Sequence, residues 1–233
     1  MKKETRRWMV WWLVVGMAGM VLALTGCESD HNDETMEEIQ AEATNSVNNA
    51  DSPGDEDHGL NEFFYDGLHP TRAGNKVIAR VFAKKIKPLD DAGGNNVNVI
   101  VCLGDSITDT GYPSDLAKLT GMTAYEEGIR GERSSGGASR IDGVLSGYKP
   151  AYICILYGAN DVIGHLPAST VTGNLEAMVI AARANGTIPI LATLTPMFGP
   201  RKQYAADARA TSAAIRDLAG RLGVPLADLE KAF

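Results

Sequence analysis

From Val97 onward, short apolar runs alternate with stretches in which apolar positions recur every three or four residues. The runs Val97 to Leu103, Met122 to Tyr125, Ala151 to Tyr157, Thr187 to Leu194 and Val224 to Ala227 are largely apolar and have strand length. Helical patterns fall between them, at Ser114 to Leu119, Ser135 to Leu145, Ser169 to Ala184 and Gln203 to Leu222. In the last of these Tyr204, Ala208, Ile215, Leu218 and Leu222 share one face. Such alternation predicts an α/β fold with a five-stranded parallel sheet and crossover helices on both sides.

The pattern leaves no helix after the fifth strand, and one occurs instead ahead of the first. After His69-Pro70-Thr71, the residues Val77, Ile78, Val81, Phe82 and Ile86 form an apolar face, with Arg80, Lys84, Lys85 and Lys87 elsewhere and Pro88 beyond the end. Helices in such a sheet run opposite to the strands, so this one should finish at the edge where Val97 begins. Asp90 to Asn96, rich in Gly and Asn, then reads as a helix-to-strand connection.

Upstream the character changes twice. Lys2, Lys3, Arg6 and Arg7 precede an uncharged apolar run from Trp8 to Leu24, the arrangement of a secretory signal, here residues 1–26. The run ends in Leu24-Thr25-Gly26-Cys27, which resembles the lipobox of bacterial lipoproteins and implies lipidation at Cys27. An uncleaved membrane anchor is the alternative. Residues 27–60 contain Asp, Glu, Asn, Ser and Thr throughout, with no Lys or Arg and few large apolar residues. That composition reads as a flexible acidic linker with a span of about 30 Å. The folded domain is therefore assigned to residues 61–233, on an exported lipoprotein tethered to a membrane and facing the periplasm or cell exterior.

Without residues 1–26 the chain carries 18 Lys plus Arg against 28 Asp plus Glu, a net charge of −10. This argues against nucleic acid as a partner. Cys102 and Cys154 lie inside apolar runs and read as small core residues, although an oxidising compartment would permit a disulfide. The four histidines are scattered and neither thiol has a partner at ligand spacing, so no metal and no cofactor is implied.

Candidate chemistry sits at strand ends. Ser106 follows the first strand directly and Asn160 follows the third, both where doubly wound sheets bind ligands. The Asp66–His69 loop precedes the upstream helix and should stand above the fifth strand on the same rim. A hydroxyl, an imidazole with an orienting carboxylate, and amide donors for an oxyanion are the parts of a serine hydrolase. Asp55-Glu56-Asp57-His58 repeats the Asp-to-His spacing, but it falls in the acidic linker with no helix to hold it.

Gly104-Asp105-Ser106-Ile107-Thr108, Gly128-Ile129-Arg130-Gly131, Gly158-Ala159-Asn160-Asp161 and Asp66-Gly67-Leu68-His69-Pro70 together resemble the four motif blocks of the SGNH (GDSL-like) hydrolase family. The resemblance implies a three-layer flavodoxin-like fold. It departs from the family in order, because the Asp/His block and last helix here precede strand 1, which points to a circular permutation. A second departure is Glu126-Glu127, where family members often carry Asn.

Carried onto this chain, the family's roles make Ser106 the nucleophile, His69 the general base and Asp66 its orienting acid. The oxyanion hole would comprise the backbone N–H groups of Ser106 and Gly131 and the side-chain amide of Asn160. A helix beginning after Ser106 would add a positive end. Arg130 and His165, with Arg133, are candidates for substrate contact. The expected activity is hydrolysis of short-acyl esters, acetyl esters foremost, on a small molecule or glycan. Acyl transfer to a glycan hydroxyl would use the same triad, and a non-catalytic envelope-binding lipoprotein is the contrasting reading. A monomer is expected, with exchange of the His69 segment between two chains as the alternative.

Overall fold

The computed structural model describes residues 59–233. The signal at residues 1–26, Cys27, the Asp55–His58 pair and all but the last two residues of the linker lie outside the described residues. The first element among the described residues is a 3-10 turn, Leu60–Glu62.

Five strands form one parallel sheet: β1 (Asn96–Gly104), β2 (Thr123–Gly128), β3 (Pro150–Leu156), β4 (Ile188–Ala192) and β5 (Leu226–Ala227). Their spatial order is β2-β1-β3-β4-β5. The winding direction reverses between β1 and β3, whose carboxyl ends carry Ser106 and Asn160. The helices are α1 (Arg72–Ala83), α2 (Tyr112–Thr120), α3 (Ser134–Tyr148), the short α4 (Ala159–Ile163), α5 (Ala168–Ala184) and α6 (Ala205–Leu222).

Side chains alternate across the sheet, as the two-residue strand period requires. Ile100, Cys102, Tyr152, Cys154 and Ile190 face one layer with Ile78, Phe82, Tyr112 and Leu116 of α1 and α2. Val101, Leu103, Ile153, Ile155 and Leu191 face the other with Ile141, Leu175, Met178, Ile215 and Leu218 of α3, α5 and α6. The upstream helix α1 thus completes the first layer. The segment that follows it reaches β3, where the Tyr152 hydroxyl donates to Lys87 O at 2.9 Å. Cys102 and Cys154 are register partners on β1 and β3, both fully buried and both free thiols.

Some boundaries differ from the expectation. β2 runs on through Glu126 and Glu127 because an edge strand is held by its backbone pairing to β1 and its side chains need not be apolar. β5 is only two residues, since Val224 N–H donates back to Ala219 O of α6 at 3.0 Å and Pro225 has no N–H for the ladder. α1 stops at Ala83, before the apolar Ile86, and α6 begins at Ala205 after a 3-10 stretch, Gly199–Tyr204. No α-helix starts directly after Ser106. A 3-10 turn, Thr108–Thr110, follows, and Gly111 at φ +119° separates it from α2, so the expected helix-dipole contribution is lost.

Candidate active site

The Asp66–His69 loop is closed by its own backbone. Tyr65 N–H donates to His69 O at 3.2 Å and Thr71 N–H to Phe63 O at 2.8 Å. Thr71 then caps α1, its hydroxyl accepting from Gly74 N–H and donating to Glu62 O. At the loop tip Asp66 does two things. Its Oδ1 accepts from the Leu68 and His69 N–H groups at 3.1 and 2.7 Å, which is an Asx-type turn. Its Oδ2 lies 2.7 Å from His69 Nδ1. Partial burial pushes the Asp66 carboxyl up, but the hydrogen bonds from His69 and its charge outweigh this and leave it below the ordinary carboxylate value.

Gly67 makes the loop's docking possible. It sits at φ +75°, and a Cβ there would come within 2.2 Å of Phe198 O. Phe198 N–H in turn donates to Gly67 O at 3.3 Å. The loop therefore rests on the segment after β4, with Phe64 edge-on to Phe198 at 5.7 Å. So placed, His69 Nε2 stands 3.0 Å from Ser106 Oγ. Asp66, His69 and Ser106 form one hydrogen-bonded chain.

Ser106 is itself buried, 8% exposed, in a turn that needs Gly104 beneath it, since a Cβ at Gly104 would lie 2.0 Å from Thr108 Oγ1. Asp105 is fully buried beside it. Its Oδ1 accepts from Ile107 N–H at 2.9 Å, and burial, with Asp161 and Glu132 nearby, pushes its carboxyl up to about 7.

The residues expected to stabilise an oxyanion are drawn toward the same place by several bonds. The turn carrying Gly131 is tied to β1, with Ile129 N–H donating to Gly104 O at 3.0 Å. Gly131 is exposed there at φ +75°. Asn160 Nδ2 donates to Glu132 O at 2.9 Å and to Asp105 Oδ2 at 3.3 Å. The Asn160 amide thus links the Gly131 turn to the Ser106 turn, and both of its protons are engaged.

Arg130 and His165 take other positions. Arg130 is exposed and its Nε donates to Asp109 Oδ2. His165 is exposed at φ +56°, with its ring 5.8 Å from Tyr204. Glu127, of the Glu126-Glu127 pair, accepts from Arg140 at 3.0 Å and from the Tyr148 hydroxyl at 2.6 Å, so it anchors the end of β2. Motif matching alone passed over Tyr65, whose exposed ring stacks on His69 at 5.8 Å. Asp161, in the third motif block but without a role read from it, is buried and accepts from the N–H and hydroxyl of Ser134 at 2.9 and 2.7 Å. The pairing of Asp161 with Ser134, the first residue of α3, could not be read from spacing.

Known proteins share this architecture. The profile of the GDSL-like Lipase/Acylhydrolase family matches residues 102–233, more than half of the chain. The match begins after the Asp66–His69 block. Esterase TesA of Pseudomonas aeruginosa is 31% identical over 116 residues, which cover 44% of this chain and 58% of the esterase, so this chain spans little more than half of that relative. A GDSL-like lipase from Bacteroides thetaiotaomicron superposes with a TM-score of 0.51 at 24% identity, covering 67% of this chain and 78% of the lipase. The SGNH-hydrolase family esterase AlinE4 superposes with a TM-score of 0.50 at 22% identity, covering 58% of this chain and 78% of its own. These two similarities establish the fold.

Proposed function

Because the chain belongs to the GDSL-like lipase/acylhydrolase family, we propose that it is a serine carboxylic ester hydrolase that works through an acyl-enzyme on Ser106. The observation that carries this reading is the unbroken chain from Asp66 Oδ2 through His69 to Ser106 Oγ, at 2.7 and 3.0 Å.

His69 Nε2 takes the Ser106 proton as Oγ attacks the ester carbonyl, and Asp66 holds the ring and stabilises the imidazolium. The tetrahedral oxyanion is met by the backbone N–H groups of Ser106 and Gly131 and by the Asn160 amide. For Asn160 this means giving up its longer bond, the 3.3 Å contact to Asp105. His69 then protonates the departing alcohol. A water molecule, deprotonated by His69, attacks the acyl-serine, releases the acid and restores the enzyme.

The preferred substrates are short-acyl esters, acetyl esters first, carried by a small molecule or glycan. A panel of esters varied in acyl length and in alcohol tests this. Highest turnover on long-chain esters would remove the acetyl preference. Competing water against a glycan acceptor decides between hydrolysis and transfer.

The upstream position of the Asp66–His69 block is attributed to circular permutation. Supporting this, the Phe233 ring lies 4.7 Å from Phe64 and 5.6 Å from Phe63, beside the segment that leads into the block. Rejoining the chain there would restore the family's order. The proposal also includes export and lipid anchoring at Cys27, which would hold the domain at a membrane surface by the segment entering next to the active site.

A further inference from the structure

The guanidinium of Arg140, on α3, sits where the ends of three strands converge. It reaches five acceptors on four chain segments. Nε donates to Glu132 Oε2 at 3.0 Å and Nη1 to Glu127 Oε2 at 3.0 Å. Nη2 faces Glu127 O at 2.6 Å, the Tyr157 hydroxyl at 2.9 Å and, more distantly, Gly104 O at 3.4 Å. Tyr157 passes the connection on by donating to Glu132.

Three of the four residues contacted lie close in sequence to a group assigned above to the oxyanion hole. Gly104 is two residues before Ser106, Glu132 immediately follows Gly131, and Tyr157 is three residues before Asn160. Glu132 also accepts the Asn160 amide on its backbone oxygen. Neighbouring sequence accommodates the cluster. A Cβ at Gly137 would come 2.4 Å from the Tyr157 ring, and one at Gly136 would come 2.6 Å from the Glu132 side chain. The glycine pair at the start of α3, costly for a helix, leaves the space in which Tyr157 and Glu132 meet Arg140.

We infer that Arg140 is a positioning residue for the oxyanion hole: its planar fork holds the Ser106, Gly131 and Asn160 loops at one mutual spacing. This rests on the reading of Ser106 as the nucleophile. Arg140 acts on reacting atoms only through other residues. A planar guanidinium with five donors in fixed directions can bind acceptors on several segments at once, whereas a lysine ammonium is a compact charge on a flexible stem. Arg140 also counters the charge of both Glu127 and Glu132, carboxylates that would otherwise oppose negative charge developing on the substrate oxygen.

The test compares wild type, Arg140→Lys and Tyr157→Phe, with Ser106→Ala as the blank. Two quantities are measured: kcat and KM on p-nitrophenyl acetate, and the rate at which a fluorophosphonate labels Ser106 with loss of fluoride, a reaction whose pentacoordinate transition state also places a negatively charged oxygen in the oxyanion hole and involves no turnover. Arg140→Lys should lower kcat about 10- to 100-fold with KM within about threefold, and slow labelling by a similar factor. Tyr157→Phe, which removes the hydroxyl's bonds to Arg140 and Glu132 and keeps the Arg140 charge, should give a smaller loss of the same kind. Should Arg140→Lys fail to fold, Tyr157→Phe decides the matter. A folded variant that loses thermal stability but keeps wild-type kcat and labelling overturns the inference. Wild-type protein that is labelled at Ser106 but hydrolyses no ester counts against the proposed function instead, and the labelling rates still decide the role of Arg140.

Discussion

His69 Nε2 and Ser106 Oγ are 3.0 Å apart although 37 positions separate them, and the imidazole comes from the earlier of the two segments. The proximity depends on α1 docking in the layer that covers Ile100 and Cys102, and on Phe198 receiving the Gly67 turn. Replacing Ser106 or His69 by Ala should reduce hydrolysis of a chromogenic acetate ester to background. Asp66→Asn should lower kcat by about 10²- to 10⁴-fold, because an amide cannot hold the same ring tautomer or stabilise the imidazolium. Equal rates in wild type and all three variants would refute the triad.

Gly67→Ala separates loop placement from chemistry. The substitution leaves Asp66, His69 and Ser106 intact but forces a methyl toward Phe198 O at 2.2 Å, at a φ of +75°. Left-handed backbone alone costs a non-glycine residue roughly 1–2 kcal/mol. We expect a loss of at least that size in urea denaturation, together with a clear fall in kcat as the loop shifts. A variant with wild-type stability and kcat would show that the loop is not braced against Phe198.

Asp105 should make stability fall as pH rises. Its carboxyl is pushed up to about 7 from an ordinary 3.8 by burial, with Asp161 and Glu132 adding repulsion, Ile107 N–H opposing it and Asn160 at its other oxygen. A raised folded-state value means the stabilisation is complete below about pH 4 and is lost as pH passes through 7. Between pH 5 and 8 this one group should remove about 2–3 kcal/mol. Urea midpoints for wild type and Asp105→Asn across that range provide the check, and parallel pH slopes would exclude Asp105 as the source.

The contact between Phe233 and Phe64 implies that the order of the chain can be changed without changing the fold. Joining residue 233 to residue 61 through a short Gly-Ser linker, and opening the chain between Pro88 and Asn96, should give a folded protein with activity within about tenfold of the starting domain. Insoluble or inactive protein would argue that the present order is required.

Lipid anchoring at Cys27 predicts that the full chain expressed in bacteria partitions into the detergent phase, and that Cys27→Ala moves it to the aqueous phase. Identical partitioning of both forms would leave the apolar run at Trp8 to Leu24 as the anchor.

Much of this arrangement was legible in the residues. The buried strands β1 and β3 are continuous apolar runs, α1 shows a clear apolar face, and the motif blocks place Ser106 and Asn160 at strand ends. Less visible were elements held by pairing and not by burial of their side chains. The hydrophobic pattern ends β2 early because Glu126 and Glu127 look like loop residues, yet β1 supplies their backbone partners. The 3-10 turn at Thr108–Thr110 resembles a helix start because local composition does not distinguish one turn from several.

By itself the sequence determined the class of fold and the five-strand count, and marked Ser106, His69 and Asp66 as candidates for nucleophile, base and acid, because hydrophobic periodicity and short motifs are local properties. Tertiary structure alone decided what those residues touch. It brought His69 to Ser106, turned the Asn160 amide toward Asp105 and Glu132, and set Arg140 among four chain segments. Such contacts join residues tens of positions apart, and their geometry follows from how layers pack around a common sheet, which no window of neighbouring residues contains.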